Sequence, residues 1–530
     1  MAGCAGLLAL LALLRWRSLP ARAGTAIVAG LLIALPIVSA AVAPAAAVEP
    51  LAIALLAASA GLAAATMAGE SVPSLAVLRA VAAAGGFVAA HGLYQKLWGL
   101  QRLARLVAAD PGLPDREAVM RKLEAGRAFA GFSTPAAMGG FLALTLPVTA
   151  ALAIASSGRR RAGWAALFVL QTAGLLATAS VTAAAALVGA TLLAALLWTR
   201  SRRGLVVAVA VMGLLLAAVV VQRGNLLDPS DPSSPLRLRA GNWRSAMEMA
   251  GDHPWLGVGP GGFPEAYLEY RRPGDNEARH AHNLPLEVAS EVGWPAGMLI
   301  AATFFVLFLG PLRRLRAGAI PLWQRGVAVS LAAFAIHNLA DFTAFMPSVL
   351  WSAALLRGLL ARPRDPSAVA TPPALAGRAV ALAAVLVAGL VAGASGISHD
   401  WQFSAREAAH AGDNRRSRLL AERAALLAPW DIDAGMAAAR ATLGPGPAAT
   451  LSPAERQLAF ERVERVVRMS PRRPSARELR ARIRLGQGDL LGALADIEQA
   501  VRLDPSRKEY ARTREDLGKR LHPAPAKERG

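Results

Sequence analysis

The sequence predicts an all-α protein: a polytopic membrane helix bundle of about 12 transmembrane helices, followed by a soluble helical-repeat domain. Of the 530 residues, 55% are hydrophobic and only 18% are charged, and the mean hydropathy of +0.40 is too high for an ordinary soluble protein. The chain contains several charge-free apolar runs of about 20 residues, the length that a helix needs to cross a bilayer. After residue 398 the chain becomes rich in Arg, Glu and Ala with helical periodicity, which indicates a soluble helical domain.

The apolar runs give the expected membrane helices in chain order. Residues 162–199 are charge-free but too long for one span, so they predict two helices with a turn near Ser180. Six other charge-free runs predict one span each: 24–48, 51–68, 128–157, 204–222, 292–312 and 379–398. Shorter or charge-bearing runs add four candidates: 1–14, 75–97, 326–341 and 342–356.

The basic loops predict the orientation of these helices, because Arg and Lys in short loops resist translocation. Alternate threading puts five Arg-rich short loops on the cytoplasmic side: 15–22, 159–161, 200–203, 313–325 and 357–378. The first residue then falls outside, which a missing N-terminal helix would explain. We expect four regions: transmembrane helices at 1–222 with an outer loop near 98–135, a large outer loop at 223–291, transmembrane helices at 292–398, and an outer helical domain at 399–530.

Charge and cysteine content exclude several classes of protein. The net charge of +21 would suit nucleic acid, but the Arg residues lie in short loops between apolar spans, so we expect no nucleic-acid partner. The single cysteine, Cys4, excludes an intrachain disulfide and a Cys-based metal cluster. Residues 1–14 have no basic residue before their apolar stretch and do not resemble a cleavable signal peptide.

The outer helical domain contains an internal repeat. The segment VERVVRMSP ends at Pro471 and EQAVRLDP ends at Pro505, an interval of 34 residues, which is the period of the tetratricopeptide unit. An earlier copy around Pro429 is offset by an insertion at 443–453. The domain is therefore expected to be tetratricopeptide-like and to bind a protein partner or the acceptor. A generic bundle of helical hairpins is the alternative.

The loop at 223–291 holds most of the candidate functional residues. Its helix-compatible segment, 242–250, carries Trp243 and Met247 on one face. The turn GVGPGG is not a dinucleotide motif, because no strand precedes it. Its Gly259 and Gly261 can present backbone N–H groups to a phosphate, although a purely structural turn is an equal alternative.

Three segments resemble one known family. The sequence RAGNWRSAMEMAGDHPWLGVGPGGF, followed by HAHNLPLEVASEVGWPAG, resembles the central loop of the O-antigen ligase and O-antigen polymerase family. The segments RAFAGFSTPAAMGGFLALTLP at 127–147 and HNLADF at 337–342 resemble two flanking elements, so the similarity covers roughly 125–345. Ser133-Thr134 and Pro285 depart from the family pattern, which leaves the identity of the acceptor open.

This resemblance implies a membrane glycosyltransferase of the Wzy type in the bacterial inner membrane, with its catalytic loop in the periplasm. Such an enzyme transfers a glycan from an undecaprenyl diphosphate carrier to lipid A core, another glycan or a protein. It needs no cofactor and no metal. Matched residue by residue, Arg127 and Arg239 correspond to the arginines that contact the pyrophosphate, and His282 corresponds to the catalytic histidine.

The residue types suit that chemistry. Guanidinium groups bind phosphate oxygens bidentately and stabilise a departing diphosphate, and histidine is suited to deprotonate an attacking hydroxyl. Direct displacement would invert the anomeric centre, since paired carboxylates of a retaining enzyme are absent from the motif. Each assignment has a structural alternative. His282 can cap a helix or bind a headgroup, and Arg127 and Arg239 can lie at the membrane interface with their charges in water.

Other residues are secondary candidates. We predict a substrate-binding role for Gly259, Gly261, His280, Asn283, Trp243, His337 and Asp341. His280 and His282 also suggest a metal site, but no further ligand is suitably spaced, so none is predicted. His337 and Asp341 are expected on one face within a span, where structural pairing is the alternative. We expect Arg271, Arg272 and Arg279 to be solvated loop charges, with contact to a phosphate as the alternative. Glu287 and Glu291 are expected on one polar helix face.

Several other functions remain open at this point. A repeat-unit polymerase and a protein O-oligosaccharyltransferase share the chemistry and differ in the acceptor. A polysaccharide or lipid transporter usually has repeated halves and charges at mid-membrane, whereas the polar residues here gather in one loop. An assembly scaffold would act mainly through its helical repeats.

Overall fold

A computed structural model describes residues 36, 38–66, 71–109, 119–120, 123–198, 202–223, 234–316, 320–360, 375–444 and 448–521. Every secondary-structure element in these ranges is a helix, so the all-α prediction is confirmed for the described part of the chain. The predicted span at 1–14 and most of that at 24–48 lie outside these ranges.

The described residues before 411 form fourteen α-helices: ten that overlap predicted spans, one amphipathic helix and three helices of the predicted outer loop. They are α1 (Pro44–Thr66), α2 (Ser71–Tyr94), α3 (Leu100–Ala109), α4 (Pro135–Ala155), α5 (Gly158–Thr178), α6 (Val181–Trp198), α7 (Arg202–Arg223), α8 (Pro235–Asp252), α9 (Phe263–Tyr270), α10 (Leu284–Val292), α11 (Trp294–Leu309), α12 (Leu322–His337), α13 (Pro347–Leu359) and α14 (Leu375–His410). Helices α8, α9 and α10 are those of the predicted outer loop, and α3 is the amphipathic helix.

Five segments in the described ranges are long and apolar enough to cross a membrane: Ser74–Arg105, Pro135–Ala155, Val181–Trp198, Arg203–Gln222 and Trp294–Arg313. The shorter segment Pro44–Ile53 is also apolar. The chain is therefore a multi-pass membrane protein. The total of about twelve spans stays a prediction.

Some predicted boundaries were wrong. The expected break near residue 49 is absent, because α1 continues through Glu49 and Pro50 and the turn lies at 41–43. The outer loop expected near 98–135 begins later, since a π-helix at Gln95–Gly99 and then α3 continue from α2. The turn predicted near Ser180 is confirmed: Ala179, with φ of 45°, separates α5 from α6.

Helix α4 is the centre of the bundle and lies against α2, α5, α6 and α12. Small residues allow this close approach. A Cβ atom on Gly139 would lie 2.8 Å from Ala183 in α6, and one on Gly140 would lie 2.7 Å from the ring of His337 in α12. Thr134 caps the start of α4 by accepting a hydrogen bond from Ala137 N. The packing therefore brings the start of α4 to the start of α6 and the end of α12.

The opposite end of the bundle collects basic residues. The guanidinium of Arg325, near the start of α12, lies over the ring of Trp198 at the end of α6, 4.1 Å from the ring centroid. Arg357, near the end of α13, donates through Nε to Leu307 O in α11 at 3.0 Å. These contacts put the arginines predicted to be cytoplasmic at one end of the bundle.

The C-terminal helices pack consecutively on one another: α15 (Asn414–Leu427), α16 (Ile432–Leu443), α17 (Pro453–Met469), α18 (Pro474–Gly486), α19 (Leu490–Leu503) and α20 (Lys508–Leu521). Helices α17 and α19 end 34 residues apart. Their C-caps, Ser470 and Asp504, have nearly the same backbone angles, with φ and ψ of −138° and 78° and of −145° and 76°. The 34-residue interval is thus present in the fold, while tetratricopeptide identity stays a prediction. The domain boundary predicted at 398 falls inside α14, which continues to His410.

Candidate active site

The turn that follows α12, residues 338–346, brings the candidate residues together. It is held by backbone contacts from two helices of the outer loop. Asn283 donates to Leu339 O at 2.9 Å, and Leu284 N donates to Asn338 O at 2.9 Å. Arg239 of α8 donates through Nε to Ala340 O at 2.9 Å. The turn therefore joins α8 and α10 to the end of the membrane bundle.

Asp341, in this turn, is the centre of a charged cluster. Its carboxylate is fully buried. Oδ2 lies 3.3 Å from Arg239 Nη2, 3.8 Å from His337 Nε2 and 3.4 Å from the hydroxyl of Thr182, which donates to it. Oδ1 lies 3.4 Å from His282 Nδ1. Arg239, His282 and His337 therefore all lie against Asp341, and all four are predicted site residues.

The electrostatics of the cluster keep Asp341 ionised. Burial favours the protonated form of the carboxyl, but the contact with His282 and the neighbouring His337 and Arg239 lower its pKa below the usual range. The separation of 3.4 Å from His282 Nδ1 is too long and poorly aligned for a good hydrogen bond, and this nitrogen has no other partner in the described part of the chain. The contact is therefore mainly electrostatic.

His282 has an unusual backbone conformation. Its φ of 55° lies in the left-handed region, which residues other than glycine seldom adopt. Its ring meets the edge of Phe342 at a centroid distance of 4.8 Å, and its side chain is 22% exposed. Trp243 Nε1 donates to its carbonyl oxygen at 3.4 Å. Because Nδ1 faces Asp341, Nε2 is the nitrogen available to a substrate.

His280 forms a second, separate pair. Its Nδ1 lies 2.6 Å from Glu287 Oε1, and its ring stacks on Phe342 at a centroid distance of 4.4 Å. Burial lowers the pKa of His280, but the charge and hydrogen bond of Glu287 outweigh this effect and raise it overall. The two histidines of the HAHN segment therefore have different carboxylate partners, which does not favour a shared metal ion.

The polar helix face predicted for Glu287 and Glu291 on α10 is buried. Glu287 and Glu291 are 1% and 4% exposed. Glu287 accepts from both His280 and the backbone N–H of Ala281. Asn283 caps α10 by accepting from Leu286 N, which turns the first turn of the helix, and with it Glu287, towards the HAHN segment.

Arg127 lies at the turn between α5 and α6. Its Nε donates to Thr178 O at 2.8 Å and its Nη2 to Ala179 O at 3.3 Å, so it neutralises the carbonyl end of α5. Ser180 and Thr182 continue this turn, and Thr182 reaches Asp341. Arg127 is thus linked to the cluster through one turn, and both of these bonds go to backbone carbonyls.

The glycine turn lies against other backbone. A Cβ on Gly259 would lie 2.6 Å from Ala43, and one on Gly261 would lie 2.5 Å from Ala46 O at the start of α1. The N–H of Gly259 donates to Glu291 O at 2.9 Å, and the N–H of Gly261 donates to the Glu291 carboxyl. The turn is therefore used for close packing, which favours the structural alternative over a phosphate cradle.

Two further placements differ from the sequence prediction. Helix α12 ends at His337, so Asp341 lies in the following turn and not on a helix face within a span. Arg271 was expected in solvent, but its side chain is only 9% exposed and pairs with Asp504. By contrast Arg272 and Arg279 are 61% and 83% exposed, as expected.

Three residues of this site were given no functional role from the sequence. Thr182 carried no signal, because it lies in an apolar run. Glu287 follows Asn283 by four residues, and recognition of Asn283 as an N-cap would have placed it in the first helical turn. Phe342, between the two imidazoles, was part of the HNLADF segment but was not singled out.

The family model described as Wzy_C, O-antigen ligase, matches residues 165–301, from α5 to α11, and these include Arg239, His280 and His282. No curated protein and no solved structure gives a significant match. The resemblance found in the sequence is thus confirmed independently for residues 165–301, which match the O-antigen ligase family model.

Proposed function

We propose that this chain is an O-antigen ligase-like glycosyltransferase that moves a glycan from an undecaprenyl diphosphate carrier to an acceptor hydroxyl, on lipid A core or a similar molecule, at the periplasmic face of the inner membrane. The observation that carries this proposal is the meeting of Arg239 and His282 on the buried carboxylate of Asp341. The guanidinium of Arg239 suits the leaving diphosphate, and the imidazole of His282 suits the attacking hydroxyl.

In this mechanism His282 is the general base. The acceptor oxygen attacks the anomeric carbon, its proton passes to His282 Nε2, and the bond from the anomeric carbon to the diphosphate oxygen breaks. The diphosphate leaves with the bonding electron pair, and attack from the face opposite the diphosphate inverts the anomeric centre. Asp341 holds the imidazole through Nδ1 and stabilises the imidazolium as it forms.

Arg239 stabilises the charge that grows on the diphosphate. Its Nε and Nη2 are bound to Ala340 O and Asp341, which fixes the guanidinium plane and leaves Nη1 for a phosphate oxygen. A preorganised cation is effective because it need not reorganise when the bond breaks. In this proposal Arg127 completes the donor site, to which it is linked by the turn that carries Thr182.

His280, paired with Glu287, is a further group of the proposed donor site. Glu287 raises the pKa of His280, so a larger fraction of it is imidazolium near neutral pH than of an isolated histidine. Its side chain is 29% exposed, so it can reach an anionic ligand. Gly259, Gly261, Asn283, Trp243 and His337 act in this scheme by holding the backbone and rings in place.

The proposal is tested by transfer from a labelled undecaprenyl-diphosphate-linked oligosaccharide to a defined lipid A core acceptor. His282→Ala should lower kcat by about 10²- to 10⁴-fold, because the general base is lost, while binding of undecaprenyl diphosphate changes little. His410→Ala, which removes an exposed histidine at the end of α14, is the control and should keep full activity. Undiminished turnover by His282→Ala would remove the mechanism, and no transfer by the unaltered chain to any glycan, lipid or protein acceptor would remove the function.

A further inference from the structure

The C-terminal domain holds both ends of α9, a two-turn helix of the catalytic loop. At the C-terminal end, the Arg271 guanidinium donates to both carboxylate oxygens of Asp504, with Nη2 3.0 Å from each. The two side chains are 9% and 1% exposed. At the N-terminal end, Glu265 accepts a hydrogen bond from Ser470 and pairs with Arg473 at 3.7 Å.

These contacts come from equivalent positions of the helical repeat. Ser470 is the C-cap of α17 and Asp504 is the C-cap of α19, 34 residues later and with the same backbone geometry. The first of the two turns also contacts the end of α8, where Arg472 Nη2 lies 3.0 Å from His253 Nε2. Two successive turns of the repeat therefore form one docking surface for the catalytic loop.

The segment between α9 and the site histidines, residues 271–279, is attached at three points. Arg271 binds Asp504, as described, and Arg279 at the other end lies 3.8 Å from Asp433 of α16. In the middle, Asp275 accepts from Arg244 of α8 at 2.5 Å. Both ends of the segment are thus bound to the C-terminal domain. Because Arg279 is well exposed, its ion pair is weak, and the buried pair at Arg271 is the dominant attachment.

His280 and His282 directly follow this segment. The left-handed backbone of His282 is costly for a residue with a side chain, and such a conformation persists only when the surrounding structure holds it. On one side of His282, contacts from the turn after α12 hold the chain. On the other side, the chain that leads into His282 is residues 271–279, which are bound to the C-terminal domain.

We propose that the C-terminal domain is a positioning element of the active site: the Arg271–Asp504 ion pair anchors residues 271–279 and thereby holds His282 against Asp341. The claim that transfer depends on this anchor rests on the function proposed above, whereas the anchoring itself does not. Breaking a buried ion pair leaves one charge without its partner, so the loop must move to rehydrate it. A displacement of about 1 Å at a catalytic group can cost about 100-fold in rate.

Charge reversal tests the anchor in the full-length chain. The variants are Arg271→Glu, Asp504→Arg and the combination of both. Exposed residues of the C-terminal domain provide matched controls with the same changes of charge: Arg468→Glu in α17 and Asp516→Arg in α20. Two quantities are measured for each variant: amide hydrogen exchange across residues 271–282, and kcat and KM for the labelled undecaprenyl-diphosphate-linked oligosaccharide.

Each single reversal should raise amide exchange across 271–282 and lower kcat by about 10- to 100-fold, with a smaller change in KM. The double reversal should recover part of both effects, because it restores an opposite-charge pair, and the controls should change neither. Unchanged exchange in both single variants would overturn the anchor. Raised exchange with unchanged kcat would overturn its role in positioning while leaving the proposed function intact. If the unaltered chain transfers nothing, the proposed function fails and exchange alone decides on the anchor.

Discussion

At the level of single residues, Asp341 shows why a buried carboxylate can stay charged at the candidate site. Its two oxygens have different partners: Oδ1 accepts from Phe342 N at 3.0 Å and faces His282, while Oδ2 faces Arg239, His337 and Thr182. Desolvation alone would favour the neutral acid, but these donors and charges favour the anion. The anion in turn fixes which edge of the His282 imidazole is left for a substrate.

Glu291 is the contrasting case, because burial there outweighs the hydrogen bond from Gly261 and the charge of His280, both of which lower its pKa. Burial, helped by the negative charge of the neighbouring Glu287, raises the pKa of Glu291 to about 7. The folded-state pKa therefore lies above the unfolded value of about 4.3. A carboxyl of this kind stabilises the fold fully at a pH below the unfolded pKa, and this stabilisation is lost as pH rises towards the folded pKa.

We therefore expect Glu291→Gln to become increasingly favourable relative to the unaltered chain between pH 5 and pH 8. The amide has the shape of the protonated acid and can still accept from Gly261 N, but it never ionises. The difference in free energy of unfolding should shift by about 2 kcal/mol over this range. Thermal unfolding in detergent at several pH values measures it. Glu269→Gln, at an exposed position of α9, should show no such trend, and a pH-independent difference for Glu291→Gln would contradict the prediction.

At the level of elements, the glycine turn distinguishes packing from ligand binding. Gly261 has φ of 73°, and a Cβ there would lie 2.5 Å from Ala46 O, which is backbone and cannot easily move. Gly261→Ala should therefore lower the free energy of unfolding by about 1–3 kcal/mol. Gly251, a helical residue where an added Cβ would have open space within 4 Å, gives the matched control, and Gly251→Ala should be neutral or stabilising.

The measurement combines thermal unfolding with binding of undecaprenyl diphosphate to the folded protein. A packing role predicts a lower melting temperature for Gly261→Ala with unchanged donor affinity. The opposite pattern, a weaker affinity at normal stability, would support the phosphate cradle instead.

Elements were predictable from the sequence where local chemistry determines them. The turn near Ser180 followed from the length of an apolar run, and the site histidine and Arg239 followed from a motif. Boundaries were less predictable: Pro50 lies inside α1, because a proline within a membrane helix is tolerated when neighbouring segments cover the freed carbonyl. Here Gly261 packs against that carbonyl, on Ala46, from more than two hundred residues away.

The environments of charged residues were the least predictable. Arg271 and Arg272 are adjacent and look alike in the sequence, yet one is buried on Asp504 and the other is exposed. The partner that makes the difference lies 233 residues along the chain. Likewise Glu287 is buried because His280 binds it, which helical periodicity does not reveal. The burial of these charged side chains depends on long-range pairing and not on local propensity, so the sequence did not predict it.

At the level of the whole molecule, the structure separates the two ends of the bundle without reference to a membrane. Asp341 and its partners lie at the end where α6 and α13 begin, whereas Arg325 and Arg357 lie at the other end. The start of α5, with Arg159, Arg160 and Arg161, belongs to this second end, since α5 ends at the turn bound by Arg127. Basic residues resist translocation, so the arginine-rich end should face the cytoplasm.

This orientation predicts which residues an impermeant thiol reagent can label in spheroplasts. In a Cys4→Ser background, which has no other cysteine, Arg279→Cys should be labelled in intact spheroplasts, because that position is 83% exposed beside the proposed active site. Arg160→Cys, which is exposed at the opposite end, should be labelled only after the membrane is permeabilised. The glycan on its undecaprenyl carrier is expected outside the cytoplasm, so the reverse labelling pattern would separate His282 from its donor and end the proposed function.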